Sequence, residues 1–236
     1  MDSKFLVFDI WADYAHFKKP YTTTSPLTFS IPPVSALTGL ISGIIGIDKR
    51  EYPDYFSSRN CRFWIRILKP VKKIRMGLNL INTKKSYNRI EERTQIKTEF
   101  LKDPAFRIFF SHDEPGLYSD LKRLLKAHSS FYTVSLGLSE NIADFNYMGE
   151  YEVCGETSES YQGVTSVINL KQLEKGDIDF SVEGEYFTEN IPFWMTKERQ
   201  VLEYSEVIFE RNGKPVHAKP KMLFSINGLN EKICIL

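Results

Sequence analysis

The chain has 236 residues, 42% of them hydrophobic and 26% charged, which is too apolar for a disordered polyelectrolyte. Its most apolar run, residues 34–47, is shorter than the roughly 20 residues that cross a bilayer. The net charge of +1 averages over an asymmetry, because residues 69–102 carry ten basic and three acidic residues whereas residues 140–189 carry twelve acidic residues and two lysines. A chain polarised in this way can turn one face toward a polyanion.

Strands and helices alternate along the first part of the chain. Residues 4–11 alternate in polarity and are rich in Phe, Val and Ile, which predicts a first strand. Two prolines precede apolar residues at helical spacing, which predicts a buried helix over 34–45 that ends at Gly46. Leucines at helical spacing predict a second helix over 115–128. Three further strands are predicted over residues 63–71, 106–110 and 132–136.

The order of these elements, βαββαβ, indicates an α+β fold with a ferredoxin-like core, which is also the scaffold of RNA-recognition modules. A basic insertion over about 72–104 separates strands two and three, and it is too long for an ordinary hairpin loop. Asn-Gly pairs at 212–213 and 227–228 predict hairpins, so we expect a strand-rich C-terminal half. The predicted division is a core domain over 1–140 and a β-rich region over 141–236 packed on it.

The first helix contains three glycines at residues 39, 43 and 46. Each glycine inside a helix lowers its stability by about 0.5–1 kcal/mol. We therefore expect close packing of this helix, against a sheet or a partner, to compensate.

The loop over residues 14–25 combines aromatic, basic and hydroxyl side chains. This combination suits single-stranded RNA, because flat rings stack on bases, cations bind phosphates and hydroxyls reach sugars and base edges. The alternative is a solvated loop whose aromatic rings point into the core. The candidate RNA-binding residues here are Tyr14, His16, Lys18, Lys19, Tyr21, Thr23, Thr24 and Ser25.

The basic insertion provides a second set of candidate RNA contacts. Each phosphate that a cation neutralises releases a counterion and steepens the salt dependence of binding. The alternative is a solvated basic hairpin. The candidate residues in the insertion are Lys72, Arg75, Lys84, Lys85, Tyr87, Arg89 and Arg93, with Lys73 and Lys97 also basic.

Residues 12–20 (ADYAHFKKP) and 24–33 (TSPLTFSIPP), followed by the glycine-punctuated helix, resemble the start of the Cas-five family. This family comprises RNA-binding subunits of type I CRISPR surveillance complexes. The resemblance covers roughly the first 140 residues, including the segment at 136–140, and is closest to the subtype I-B branch. Many relatives carry a basic residue just after the double proline, where this chain has Val34 and Ser35. The resemblance therefore leaves backbone amides and the Ser35 hydroxyl as phosphate donors at this helix start.

The resemblance implies a non-catalytic subunit that caps the 5′ handle of the crRNA. The insertion would be a thumb that grips the handle and wedges against a Cas-seven-type backbone subunit, with a Cas-eight-type large subunit as a further partner. Target DNA would be contacted only indirectly, because the guide reads it by base pairing.

Two other functions remain open. Some relatives of subtype I-C cut precursor RNA without metal, and Tyr14, His16 and Lys18 could form a general acid-base set on one loop. The third function is a protein-only adaptor that works through the acidic C-terminal half.

We expect neither a cofactor nor a metal, because the three cysteines, at 61, 154 and 234, are far apart and no Cys/His cluster has zinc spacing. The cysteines should be reduced thiols. The first five residues lead into a strand without a secretion signal, so we expect a cytoplasmic protein with no membrane partner.

Overall fold

The computed structural model describes residues 3–22, 24–81, 93–234 and 236. The fold is mixed α/β and rich in strands, as predicted. The helices are α1 (Val34–Ile45), α2 (Tyr52–Tyr55) and α3 (Pro115–Lys126), with a 3₁₀ turn at Leu170–Gln172. The strands are β1 (Ser3–Ala12), β2 (Tyr14–Ala15), β3 (Cys61–Ile67), β4 (Lys73–Ile81), β5 (Arg93–Lys102), β6 (Ala105–His112), β7 (Ala143–Glu156), β8 (Gln162–Val164), β9 (Ile168–Asn169), β10 (Tyr186–Met195), β11 (Val201–Glu210), β12 (Val216–Ala218), β13 (Leu223–Ile226) and β14 (Lys232–Ile233).

A six-stranded sheet in the order β14-β13-β7-β1-β6-β3 forms the centre of the molecule. Strand β1 pairs antiparallel with β6 on one side and with β7 on the other. Alternate residues of β1 point to opposite faces, so Leu6 and Phe8 join the large core that includes α1 and α3. Phe5 points to the other face and packs against Trp64, with ring centroids 4.5 Å apart. Both faces of the sheet therefore carry a buried apolar cluster.

The first helix begins and ends where the sequence predicts. Helix α1 follows Pro33 directly and ends at Gly46, which has a left-handed backbone with φ 86°. The Gly46 amide donates to the Ser42 carbonyl at 2.8 Å. A glycine adopts this conformation without the steric cost that a side chain would add.

The fourth strand was predicted in the wrong place. Residues 132–136 form no strand. The strand that takes the fourth place in the βαββαβ order is β7, which begins at Ala143. The amides of Phe131 and Tyr132 instead donate to the carbonyls of Ile44 and Gly43, each at 2.9 Å. This segment therefore caps the C-terminus of α1, where the last carbonyls of a helix lack partners.

The basic insertion forms two long paired strands, β4 and β5, next to the central sheet. It leaves the sheet after Ile67 and returns just before Phe106, and these two residues face each other in the β3–β6 pair. Strand β7 lies beyond residue 140 and pairs with β1 along most of its length, so both predicted regions contribute to the central sheet. None of the helices in the described ranges is long and apolar enough to span a membrane.

Candidate nucleic-acid interface

The loop after β2 is closed by backbone pairing at its base. The Lys19 amide donates to the Leu27 carbonyl at 2.8 Å, and the Phe29 amide donates to the Phe17 carbonyl at 2.9 Å. Phe17 and Phe29 are buried beneath this pairing, so these rings are part of the core. The tip of the loop is left in solvent, with Tyr21 71% exposed.

The predicted contact residues of this loop fall into two groups. Lys18, Tyr21, Thr24 and Ser25 are exposed, whereas Tyr14 is half-buried with its ring 6.3 Å from that of Phe100. Thr23 lies outside the described residues. The exposed group offers one cation, one flat ring and two hydroxyls on a short stretch of chain, which is the chemistry that single-stranded RNA requires.

His16 lies inside the protein rather than on the loop surface. It is 3% exposed, and its Nδ1 lies 2.7 Å from the Glu99 carbonyl oxygen. Burial lowers the pKa of this imidazole, which favours the neutral form with the proton on Nδ1. A ligand could reach this ring only after the surrounding side chains had moved.

Lys19 is held by a carboxylate that lies 170 residues away in the sequence. Its Nζ is 3.3 Å from Glu189 Oε1, and the same oxygen is 3.2 Å from Lys73 Nζ. The Ser30 amide and hydroxyl also donate to the Glu189 carboxylate, each at 2.8 Å. The Glu189 side chain is only 10% exposed, so it joins β10, the loop and the start of β4 in one partly buried cluster.

The β4–β5 hairpin has one polar face and one apolar face. In the antiparallel register Arg75 lies opposite Glu99, Gly77 opposite Lys97, and Ile81 opposite Arg93, so these side chains share a face. Arg75, Arg93 and Lys97 are all exposed, and we call these three residues the cationic face. The other side, which we call the apolar face, carries Ile74, Met76, Leu78, Leu80 and Ile96.

Backbone contacts fix the loop and the hairpin to each other. Strand β2 pairs with β5 through Tyr14 and Lys102, and the Glu99 amide donates to the Pro26 carbonyl at 2.9 Å. Lys73 Nζ adds a hydrogen bond to the Thr28 carbonyl at 3.1 Å. The base of the loop and the root of the hairpin are therefore joined by several hydrogen bonds.

The remaining predicted contact residues are not all described. Lys72 is exposed beside the start of β4, and Ser35 is half-buried in the first turn of α1. The other four candidates of the insertion, which lie outside the described residues, are Lys84, Lys85, Tyr87 and Arg89.

No metal site is found among the described residues, because they contain no group of three His, Cys, Asp or Glu side chains that could hold an ion. Among the described cysteines, Cys61 and Cys234 are buried and Cys154 is exposed. Burial raises the pKa of the Cys61 thiol to about 12.

Comparison with known proteins identifies the family. The family profile described as CRISPR-associated protein (Cas_Cas5) matches residues 5–201, which is more than half of the chain and includes the loop, the hairpin and the central-sheet strands β3, β6 and β7 with most of β1. The chain belongs to the Cas5 family. Its role is therefore CRISPR-associated, and the resemblance noted in the sequence is confirmed.

Solved structures share the fold of this Cas5-family chain. A CRISPR protein from Archaeoglobus fulgidus is 12% identical with a TM-score of 0.61, over 98% of this chain and 97% of that one. A chain of a CRISPR RNA-guided surveillance complex is 10% identical with a TM-score of 0.54, over 89% and 91% of the two chains. No curated protein matches the sequence significantly.

The glycines of α1 in this Cas5-family chain differ in their surroundings. A Cβ added at Gly39 or Gly43 would meet no atom within 4 Å, so these two glycines do not pack closely against the described part of this chain. They line an open groove of about 480 Å³ beside Tyr52 and Tyr132. At Gly46 a Cβ would lie 2.7 Å from Phe131 Cγ, so the end of the helix packs closely against this loop residue.

Several residues that organise this interface have no local signal in the sequence. Glu189 belongs to a strand far along the chain, and its partners are found only when the fold is known. Thr28 and Ser30 belong to the family motif, yet their buried hydroxyls serve the protein itself. Lys97 is one of many cations in a basic segment of the sequence, and the strand register places it on the cationic face.

Proposed function

We propose that this chain is a non-catalytic crRNA-binding subunit of a type I CRISPR surveillance complex of the I-B-like subtype. In this role it caps the 5′ handle of the crRNA and joins the backbone and large subunits. The main support is one geometric observation: the exposed loop tip at Tyr21 and the cationic face of the hairpin are held together by the β2–β5 pairing. Rings and cations on two connected segments suit a single strand of RNA.

We interpret the central strands and helices as a ferredoxin-like core and the β4–β5 hairpin as the thumb. The order β7-β1-β6-β3 with α1 and α3 packed on one face supports the first interpretation. The position of the hairpin between β3 and β6 supports the second. The thumb then contacts the RNA with its cationic face.

The proposed RNA contacts are the exposed candidates. The cations neutralise phosphates, Tyr21 stacks on a base, and the hydroxyls form hydrogen bonds to sugars or base edges. Lys19 has a different role in this proposal, because Glu189 already neutralises it and holds the loop base. The proposed set is Lys18, Tyr21, Thr24, Ser25, Lys72, Arg75, Arg93 and Lys97, with Thr23, Lys84, Lys85, Tyr87 and Arg89 remaining predictions from the sequence.

The absence of catalysis is also part of the proposal. A general base must come within about 2.6–3.2 Å of the proton that it removes. The Nδ1 of His16 is instead hydrogen-bonded to the Glu99 carbonyl. The ring is buried, and its centroid lies 5.4 Å from that of the Phe100 ring. This geometry supports a packing role for His16 and leaves the set of Tyr14, His16 and Lys18 without an accessible base.

The proposed partners are the crRNA 5′ handle, a Cas-seven-type backbone subunit and a Cas-eight-type large subunit, in the cytoplasm. Target DNA is contacted only indirectly. Similarity in fold to a chain of an RNA-guided surveillance complex supports an assembly of this kind.

Native mass spectrometry of the co-expressed subunits tests the proposal. We expect this chain to be retained in the particle with intact crRNA and lost when the 5′ handle is deleted. Equal retention with both RNAs would favour the protein-only adaptor instead. In a second arm the purified chain is incubated with repeat RNA in EDTA, where specific cleavage that disappears in His16→Ala would overturn the non-catalytic assignment.

A further inference from the structure

Strand β4 is an edge strand, and its outer side is unpaired in the described structure. The small sheet has the order β2-β5-β4, so β5 satisfies only one side of β4. In an antiparallel pair, the amides and carbonyls of alternate residues point away from the partner strand. Strand β4 has nine residues, so several such groups form a regular row along its free edge.

The distal half of β4 lacks the features that usually protect an edge strand. Proteins block exposed edges with charged side chains, prolines or bulges. Residues 76–81 read Met-Gly-Leu-Asn-Leu-Ile and contain neither a charge nor a proline. The pairing with β5 runs from Lys73 to Ile81 without a register shift, so this edge has no bulge either.

Apolar side chains accompany the free edge. Leu80 is 48% exposed and Ile81 is 46% exposed, which is unusual for large aliphatic residues next to unpaired backbone groups. Met76 and Leu78 lie on the same face as Leu80 and are half-buried. A strand with this composition and an open edge associates with other strands unless something covers it.

We propose that the outer edge of β4 accepts an extended strand from another protein subunit of the complex, by β-strand addition. The inference rests on the proposed function, because it assigns a protein contact to the same hairpin whose cationic face would hold RNA. Main-chain hydrogen bonds provide the affinity in this mode of recognition, and side-chain alternation provides the specificity.

The alternation in β4 determines the chemistry of the added strand. Its residues next to Met76, Leu78 and Leu80 are apolar, because they extend the apolar face. Its residues on the opposite face, next to Gly77 and Asn79, are polar, because that face of the hairpin is polar and exposed. The partner is therefore a segment that alternates apolar with polar residues.

A proline scan over residues 76–80 tests this inference. Proline removes one amide and is tolerated on an edge strand where that amide points outward. We expect a pattern of period two: alternate variants lower the melting temperature because they break the pairing with β5, whereas the others melt like wild type. The destabilised variants also report which amides point inward.

The variants that melt like the wild type test whether the outer edge of β4 pairs with another subunit. Each should bind handle RNA like the unchanged chain with the same salt dependence, yet associate about tenfold more weakly with its neighbouring subunit in the reconstituted complex. Wild-type assembly of these variants would overturn the inference. If the isolated variants lost RNA binding as strongly as they lost association with the neighbouring subunit, the inference would also be overturned, because the edge would then contact RNA. If the wild-type chain fails to bind handle RNA, the proposed function is wrong, whatever the scan shows for assembly.

Discussion

Ser30 donates two hydrogen bonds to the carboxylate of Glu189, one from its amide and one from its hydroxyl, each 2.8 Å long. This contact joins the end of the loop after β2 to a strand 159 residues further along the chain. The carboxylate is nearly buried, and two lysines, Lys19 and Lys73, lie beside it in addition to these donors.

Replacing this carboxylate should destabilise the protein. In Glu189→Gln the amide cannot accept from Ser30 and neutralise two lysines together, and we expect a loss of about 1–3 kcal/mol in the free energy of unfolding in urea. Glu203→Gln is the matched control, because Glu203 forms an exposed pair with Lys171 at 2.7 Å. Such surface pairs contribute at most about 1 kcal/mol. An equal effect in both variants would contradict the anchoring role of Glu189.

The cationic face should determine the salt dependence of RNA binding. Neutralising Arg75, Arg93 and Lys97 to glutamine removes up to three phosphate contacts, and each contact contributes about 0.7 to the slope of log K against log salt for single strands. Fluorescence anisotropy of labelled handle RNA at several salt concentrations measures this slope. Lys221→Gln, at an exposed lysine in the C-terminal part, should leave it unchanged. If the triple variant had the same slope as the wild type, the cationic face of the hairpin would not contact the RNA.

The glycines should respond to alanine in opposite directions. At Gly39 and Gly43 a new Cβ meets open space, so each alanine should raise the free energy of unfolding by about 0.5–1 kcal/mol. At Gly137, where φ is 92°, the new Cβ would lie 1.9 Å from the His16 carbonyl oxygen, so alanine should destabilise the fold. Thermal melts of the three variants test this, and a fall in stability at residue 39 or 43 would mean that these glycines pack more closely than the structure indicates.

His16 should make stability depend on pH. Burial lowers its pKa in the folded state below the ordinary value of 6.5, so the unfolded chain binds this proton more readily. Stability should therefore fall as the pH drops below about 6.5 and level off below the folded-state pKa. His16→Asn retains a donor toward the Glu99 carbonyl and cannot titrate, so urea unfolding at pH 7.5 and 5.5 should show a smaller loss than in the wild type. An equal loss in His16→Asn and in the wild type would contradict this origin of the pH dependence.

Thiol reactivity should differ between the described cysteines. Cys154 is exposed and should react readily with a thiol reagent at pH 8. Cys61 and Cys234 are buried, and burial raises the pKa of Cys61 to about 12, so little nucleophilic thiolate forms there. Mass spectrometry after brief labelling should find one modified site. Fast labelling of Cys61 in the folded chain would contradict its buried position.

Local patterns were sufficient for α1, because two prolines at its start and Gly46 at its end act within a few residues. They failed for residues 132–136, whose apolar alternation looks like a strand. The amides of Phe131 and Tyr132, at the start of this segment, cap α1, a role that depends on the position of a helix far earlier in the chain. The actual fourth strand, β7, is partly exposed on both faces, so its alternation is weak.

Local sequence patterns also reveal only part of the candidate RNA interface. Exposed residues such as Tyr21 and Lys18 could be identified from composition, since their chemistry is local. The burial of His16 and the neutralisation of Lys19 could not, because both depend on residues brought together by the fold. The cationic face likewise required the register of β4 against β5.

The hairpin leaves and re-enters the central sheet at two residues, Ile67 and Phe106, that are already neighbours in the β3–β6 pair. The entropy cost of closing a loop grows only slowly with its length, so lengthening or shortening the hairpin beyond its root changes the stability of the core very little. Evolution can therefore exchange the part of the molecule that meets RNA and neighbouring subunits while the sheet beneath it stays intact.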